Sequence, residues 1–195
     1  MALQGHLASV KVQSSGVVMT DEAATTSDNL TYQITDTAKR YIDLNTAVVV
    51  EDSAVVTTEN YTVNYLTGEI TFAETGTRTI TVSGAYMTPS TVATAKSYSV
   101  NVTADTLENT VFTDTFKTFQ SGLVSGTASL GRFHASDDLF IDEILAGNYF
   151  IVEFFVDATN KVSFYGLPSS NTVDAAVESL VEENVDFQIT NNIEV

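Results

Sequence analysis

Apolar residues in this chain recur mostly at every second position, in short runs broken by turn residues, which is the spacing of strands rather than helices. Leu7 to Val12 alternates, Leu7, Ser9 and Lys11 against Ala8, Val10 and Val12, and predicts a first strand. Ser14-Ser15-Gly16 predicts a turn. Thr20 to Asn29 is polar and without period, and reads as a loop. From Leu30 to Thr88 short strands follow one another: Tyr32 and Ile34, then Val48 to Val50, then the hairpin NYTVNYLTGEITF. There Tyr61, Val63 and Tyr65 share one face, Gly68 supplies the turn, and Ile70 and Phe72 return. Ile80 and Val82 mark a further strand. This stretch predicts a small β-rich unit, residues 30–88, inserted into a β domain made of residues 1–29 and 89–195.

Past Pro89 a connector leads to a strand at Tyr98, Val100 and Val102. Val111 to Phe119 is ambiguous, because Phe112, Phe116 and Phe119 fit helical spacing while its threonines favour strand. Leu123 to Leu130 reads as strand, punctuated by Gly122, Gly126 and Gly131. The next segment, SDDLFIDEILAG, is the one clear helix. Ser136 is a good N-cap, its hydroxyl able to accept from a free backbone N–H. Asp137 and Asp138 lie where the helix dipole favours negative charge. Phe140, Ile141, Ile144 and Leu145 form an apolar stripe expected to pack on a sheet. Gly147 stands where a left-handed residue ends helices. Tyr149 to Val156 predicts a buried strand and Val162 to Leu167 its hairpin partner. Residues 173–183 fit helix and strand equally.

Composition narrows the function. The 195 residues hold 25 acids and 8 bases, a net charge of −17. The bases are scattered, so a phosphate-neutralising patch for nucleic acid is not expected, and the acidic surface repels polyanions. Cysteine is absent, which excludes disulfides, thiolate metal sites and a cysteine nucleophile. The start, MALQGHLASVKV, has no basic region followed by an apolar core, so no signal peptide is expected.

Chemistry finds little to use. His134, Asp137 and Asp138 are candidate metal ligands, but only Asp138 and Asp142 have i, i+4 spacing and the other histidine, His6, is remote. First-turn acids already have an electrostatic reason to be there. No phosphate loop, nucleophile elbow or zinc-protease spacing occurs. The expectation is a protein with no catalytic residues, no metal and no cofactor, one that binds or assembles.

Three stretches taken in order carry a resemblance: VVMTDEAATTSDNLTYQITDTAKRYIDLNTAVVV, then YTVNYLTGEITFAETGTRTITVSGAYM, then LENTVFTDTFKTFQSGL through SLGRFHASDDLFIDEILAGNYFIVEFFVD to FYGLPSSNTVDAAVESLVEENVDFQIT. Together they resemble the major tail, or tail tube, proteins of tailed bacteriophages. The resemblance implies a mainly β fold, a two-sheet sandwich or barrel flanked by one helix at about 137–146. It implies that the final segment is strand, with Val185, Phe187 and Ile189 facing one way. It implies rings of six copies stacked into a tube in the virion tail, with other tail proteins as partners and DNA passing without specific binding. On that reading Thr20, Asp21, Glu22 and Asp28 form a loop that packs against the next ring. Two other readings stand beside it: another virion structural protein, such as a tail terminator, completion or head decoration protein, and a carbohydrate-binding β-module. The second is weakened by the absence of tryptophan.

Overall fold

The computed structural model describes residues 9–53, 55–57, 59–113, 115–135, 139–157, 159–177 and 179–194. The fold is mainly β, with two antiparallel seven-stranded sheets and one α-helix among the described residues. The first sheet contains β1 (Ser9–Gln13), β9 (Ser90–Thr91), β10 (Ala95–Glu108), β11 (Phe119–Phe133), β12 (Phe150–Phe155), β13 (Lys161–Asp174) and β14 (Glu182–Glu194). Its order is β10-β11-β14-β13-β12-β1-β9. The second contains β2 (Val17–Thr26), β3 (Thr31–Ile34), β4 (Val49–Asp52), β5 (Val55–Val56), β6 (Tyr61–Asn64), β7 (Glu69–Phe72) and β8 (Ile80–Tyr86). Its order is β5-β4-β8-β2-β3-β7-β6.

Each sheet folds over its own core. Val10, Val12, Leu130, Val152, Phe154, Phe164, Val185 and Phe187 fill the first. Tyr32, Ile34, Ile42, Ile70, Phe72, Ile80 and Val82 fill the second. The final segment is therefore strand, and Val185, Phe187 and Ile189 all turn to the first core. A third cluster joins the two sheets. β12 is buried on both faces: Phe150, Val152 and Phe154 enter the first core, while Ile151 and Glu153 face the second sheet's loops. There Ile151 and Tyr165 pack with Leu66 and Met87. The Tyr165 hydroxyl donates to the Ile42 carbonyl at 2.5 Å. Glu153 accepts from Tyr41 at 2.6 Å and is ion-paired with Lys161, which also donates to the Tyr41 oxygen at 2.5 Å. Burial by itself would lower the Lys161 ammonium, but Glu153 and Tyr41 outweigh it and hold it above its ordinary value. Asn45 adds a polar rivet, donating to the Ser14 and Tyr149 carbonyls and accepting from the Tyr149 N–H at 2.8 Å.

Two expectations change on contact with the fold. Thr20 to Asn29 is largely strand. β2 pairs with β8 on one side and β3 on the other, so it belongs to the second sheet although it precedes Leu30. A bulge between Met19 and Glu22, with Asp21 at φ +50, shifts the phase of burial and erases the period-2 pattern. Thr20, Asp21 and Glu22 lie in this strand. Asp28 alone lies in the turn after it, accepting from the N–H groups of Leu30 and Thr31.

The helix, α1 (Leu139–Ala146), is rotated relative to its apolar stripe. Phe140 is fully buried, its ring 5.2 Å from Phe150 and 6.0 Å from Phe187. Ile144 is half-buried, but Ile141 and Leu145 are exposed, Leu145 at 82%. The cause is Glu143, which holds the inward side with Phe140 and Ile144. It accepts from the Ser14 hydroxyl at 2.7 Å and from the Asn148 amide at 2.6 Å. Gly147, at φ +72, closes the helix, and its N–H and that of Asn148 both donate to the Glu143 carbonyl. Ser136, Asp137 and Asp138 lie outside the described residues.

Phe140→Ala should therefore lower unfolding stability by about 3–5 kcal/mol, whereas Leu145→Ala should change it by less than about 0.5 kcal/mol. Equilibrium denaturation of both variants checks the rotation. A larger loss at Leu145 than at Phe140 would show that the helix packs by its stripe after all.

Candidate assembly surface

The distinctive surface of this molecule is built by β10 and β11. Their 14 and 15 residues pair from Ala95↔Arg132 to Glu108↔Phe119. Alternating Ser, Val, Asn and Thr suit β10 to strand. Hydroxyl pairs such as Ser99 with Ser129 at 2.8 Å and Thr103 with Ser125 at 3.0 Å line one face. In the lower half of the hairpin β11 also pairs with β14, from Phe133↔Glu182 up to Gly126↔Ile189. There the hairpin is sheet: Ala128 and Leu130 are buried, Tyr98 stacks on Phe154 at 4.5 Å, and its hydroxyl donates to the Phe155 carbonyl.

Beyond Gly126 the two strands continue without β14. A two-stranded ribbon has no third strand and no second layer to cover either face. Apolar side chains on both faces consequently lie in the open: Val102, Leu107, Phe119, Leu123 and Val124. The turn adds Val111, Phe112 and Phe116, with Phe112 fully exposed and Phe116 at 84%. The Asn109 N–H donates to the Thr118 carbonyl, and the exposed pair Lys117–Glu108, at 2.8 Å, braces the turn. At roughly 200 Å² per phenylalanine, the three rings alone present roughly 500 Å², about the largest apolar patch that a monomer ordinarily shows. β10 is also an edge strand, its outer backbone without a strand partner among the described residues. Long exposed edges are normally avoided because they pair with other chains.

The opposite end of β11, away from the arm, is fixed by a buried charge network. The Arg132 guanidinium donates to Glu183 at 2.7 Å and lies 4.7 Å over the Phe140 ring. Asn171 donates to the other Glu183 oxygen at 2.8 Å, and the His134 ring nitrogen lies 3.2 Å from the first. Burial would raise the Glu183 carboxyl; the hydrogen bonds from Arg132, Asn171 and His134 together outweigh it and hold it below its ordinary value. His134 thus serves this network. Among the described residues no group of three or more His, Asp or Glu side chains is placed to hold a metal ion. No helix among them is long and apolar enough to cross a membrane.

Sequence reasoning missed the arm as a site. It saw strands at 98–102 and 123–130, but alternation marks a strand equally inside a sheet and beyond one. The available signal was the turn itself, TVFTDTFKTF, where three phenylalanines stand among threonines in a segment that must be surface.

No model of a protein family matches the chain, and no curated protein does. Solved structures similar to it in backbone include two from gene transfer agent particles. One is described as "Tail of empty GTA particle computed with helical refinement, C6 symmetry" and the other as "Virion of native gene transfer agent (GTA) particle". Each has a TM-score of 0.49 and 11% identity over 54% of this chain, covering 84% and 86% of the other chain respectively.

The Glu183 network sets a pH dependence. Because folding favours the charged carboxylate, its contribution is complete above the ordinary value of 4.5 and fades as pH falls through the lower folded value. Glu183→Gln should cost about 3–5 kcal/mol near pH 7, since the buried guanidinium loses its carboxylate. The variant's stability should also fall less steeply than the parent's below pH 4.5. Urea titrations across pH check both, and parallel acid limbs would show that Glu183 is not the titrating group.

Proposed function

We propose that this chain is a structural virion protein, a tail-tube subunit of a tailed-phage particle. On this reading its copies form rings, six to a ring, that stack into a tube through which DNA passes into the host. The observation that carries the reading is the apolar arm beyond Gly126 together with the long free edge of β10. Both are costly on a lone monomer and both are satisfied when identical chains pair and stack. The sequence resemblance to major tail proteins points the same way.

Thr20, Asp21 and Glu22, expected in a ring-stacking loop with Asp28, are held in β2, and we assign the main stacking contact to the arm instead. On this reading the second sheet, whose strands run from Val17 to Tyr86, corresponds to the inserted unit expected at residues 30–88. Its loops pack against β12 and β13 through Leu66, Met87, Ile151 and Tyr165. The net charge of −17 keeps a polyanion from adhering to the tube and makes the subunits repel one another.

Light scattering followed by negative-stain electron microscopy of the purified protein tests this. Tubes or six-fold rings with a central hole are expected. Like-charge repulsion is screened by salt, so assembly should strengthen as ionic strength rises from about 0.05 to about 0.5 M. A protein that stays monomeric at high concentration across that range, also after tail-tip material is added, is not a tube subunit.

A further inference from the structure

Among the described residues of the first sheet, exposed apolar groups stand at both ends of β11, one of them the arm. The arm's turn precedes Phe119, the first residue of β11. The turn between β13 and β14 adjoins Phe133, its last, since the His134 N–H donates to the Val181 carbonyl. That second turn exposes Val177 at 94% and Leu180 at 67%. It also forms a shallow concavity of about 380 Å³, lined by Asp174, Ala175, Ala176, Ser179, Leu180 and Glu182. Fifteen residues of β11 separate the two groups, roughly 48 Å at ~3.4 Å per residue. One copy cannot bring them together.

We infer that Phe112 at the tip of one copy's arm inserts into the 174–182 concavity of a second copy, so that subunits join head to tail. This rests on the self-assembly proposed above. The arm's phenylalanines with Leu107, Leu123 and Val124 approach the ~800 Å² per partner that a standard interface buries. Phe112, fully exposed at the apex, has the character of an anchor, a large aromatic that fills a partner's pocket. The site that receives it must offer apolar surface, and Ala175, Ala176 and Leu180 supply it among the lining residues. Because the two surfaces differ and lie at opposite ends, the contact is heterologous. A heterologous contact does not end at a dimer: every added copy presents a new free arm or a new free concavity.

The chain has no cysteine, so introduced thiols report contacts without background. F112C and L180C are made separately, assembled alone and as a mixture, and oxidised. The mixture should give a covalent dimer containing one copy of each variant, and each variant alone should give none. The doubly substituted chain should give a ladder of covalent multimers. In parallel, Phe112→Ala and Leu180→Asp should each raise the concentration needed for assembly at least tenfold while leaving the monomer's unfolding curve unchanged. Covalent dimers of F112C alone would mean that arms meet arms and would overturn the head-to-tail contact. So would tubes that form normally without any mixed cross-link. Those outcomes leave the tube reading intact. Monomers under every condition would instead remove the tube reading, and this contact with it.

Discussion

The close approach of β11 to β14 at Gly126 and Ile189 divides this molecule into a part that folds and a part that reaches outward. A side chain at Gly126 would place its Cβ 3.0 Å from Ile189 Cδ1 and 3.1 Å from its Cβ. Any larger residue there would require Ile189 to give way by a few tenths of an ångström. Below this rung β11 lies between β10 and β14, and its inward side chains enter the first core. Above it β14 turns away toward β13, with Asn191 at φ +66 beside the register shift near Thr190, and β10 and β11 run on as a bare ribbon. The same strand is thus core at Leu130 and open surface at Leu123.

At the end of β11 away from the arm, the charge network around Glu183 holds the sheet together. Arg132, Glu183, Asn171 and His134 tie β11, β13 and β14 together, and the guanidinium lies on the Phe140 ring so that α1 is held to the same point. A buried ion pair is weak evidence of net stability, because desolvation offsets much of its attraction. Its effect here is directional: the hydrogen bonds fix which residues of β11, β13 and β14 face one another at this end of the sheet. The second sheet is fixed by an analogous arrangement on the opposite face of β12, where Tyr41, Glu153 and Lys161 stand beside an apolar cluster.

Electrostatics and apolar surface act in opposition across the whole chain. The excess of acids makes copies of the chain repel one another, while the arm and the free edge of β10 are the surfaces that would draw them together in the proposed assembly. At physiological salt, charge repulsion decays over about 8 Å, whereas burial of apolar surface acts only at contact. Such a chain associates only where its apolar surfaces match closely enough to outweigh repulsion, which favours an ordered assembly over indiscriminate aggregation.

How much of this was legible beforehand follows from the range of each interaction. Local chemistry settled the strand-rich class, the hairpin around Gly68, the end of the helix at Gly147 and the lack of thiol chemistry, because those depend on neighbouring residues alone. The helix was legible as a helix but not its rotation. Glu143 faces inward because Ser14 and Asn148 meet it, and Ser14 is 129 positions away. β2 was illegible because one bulge at Asp21 shifts the alternation that marks a strand. The arm was legible as strand but not as surface, because pattern shows which residues are apolar and not where a partner strand stops. Burial is a property of what packs against a residue, and for Leu123, Phe112 and Leu180 only the tertiary structure decided that little among the described residues does.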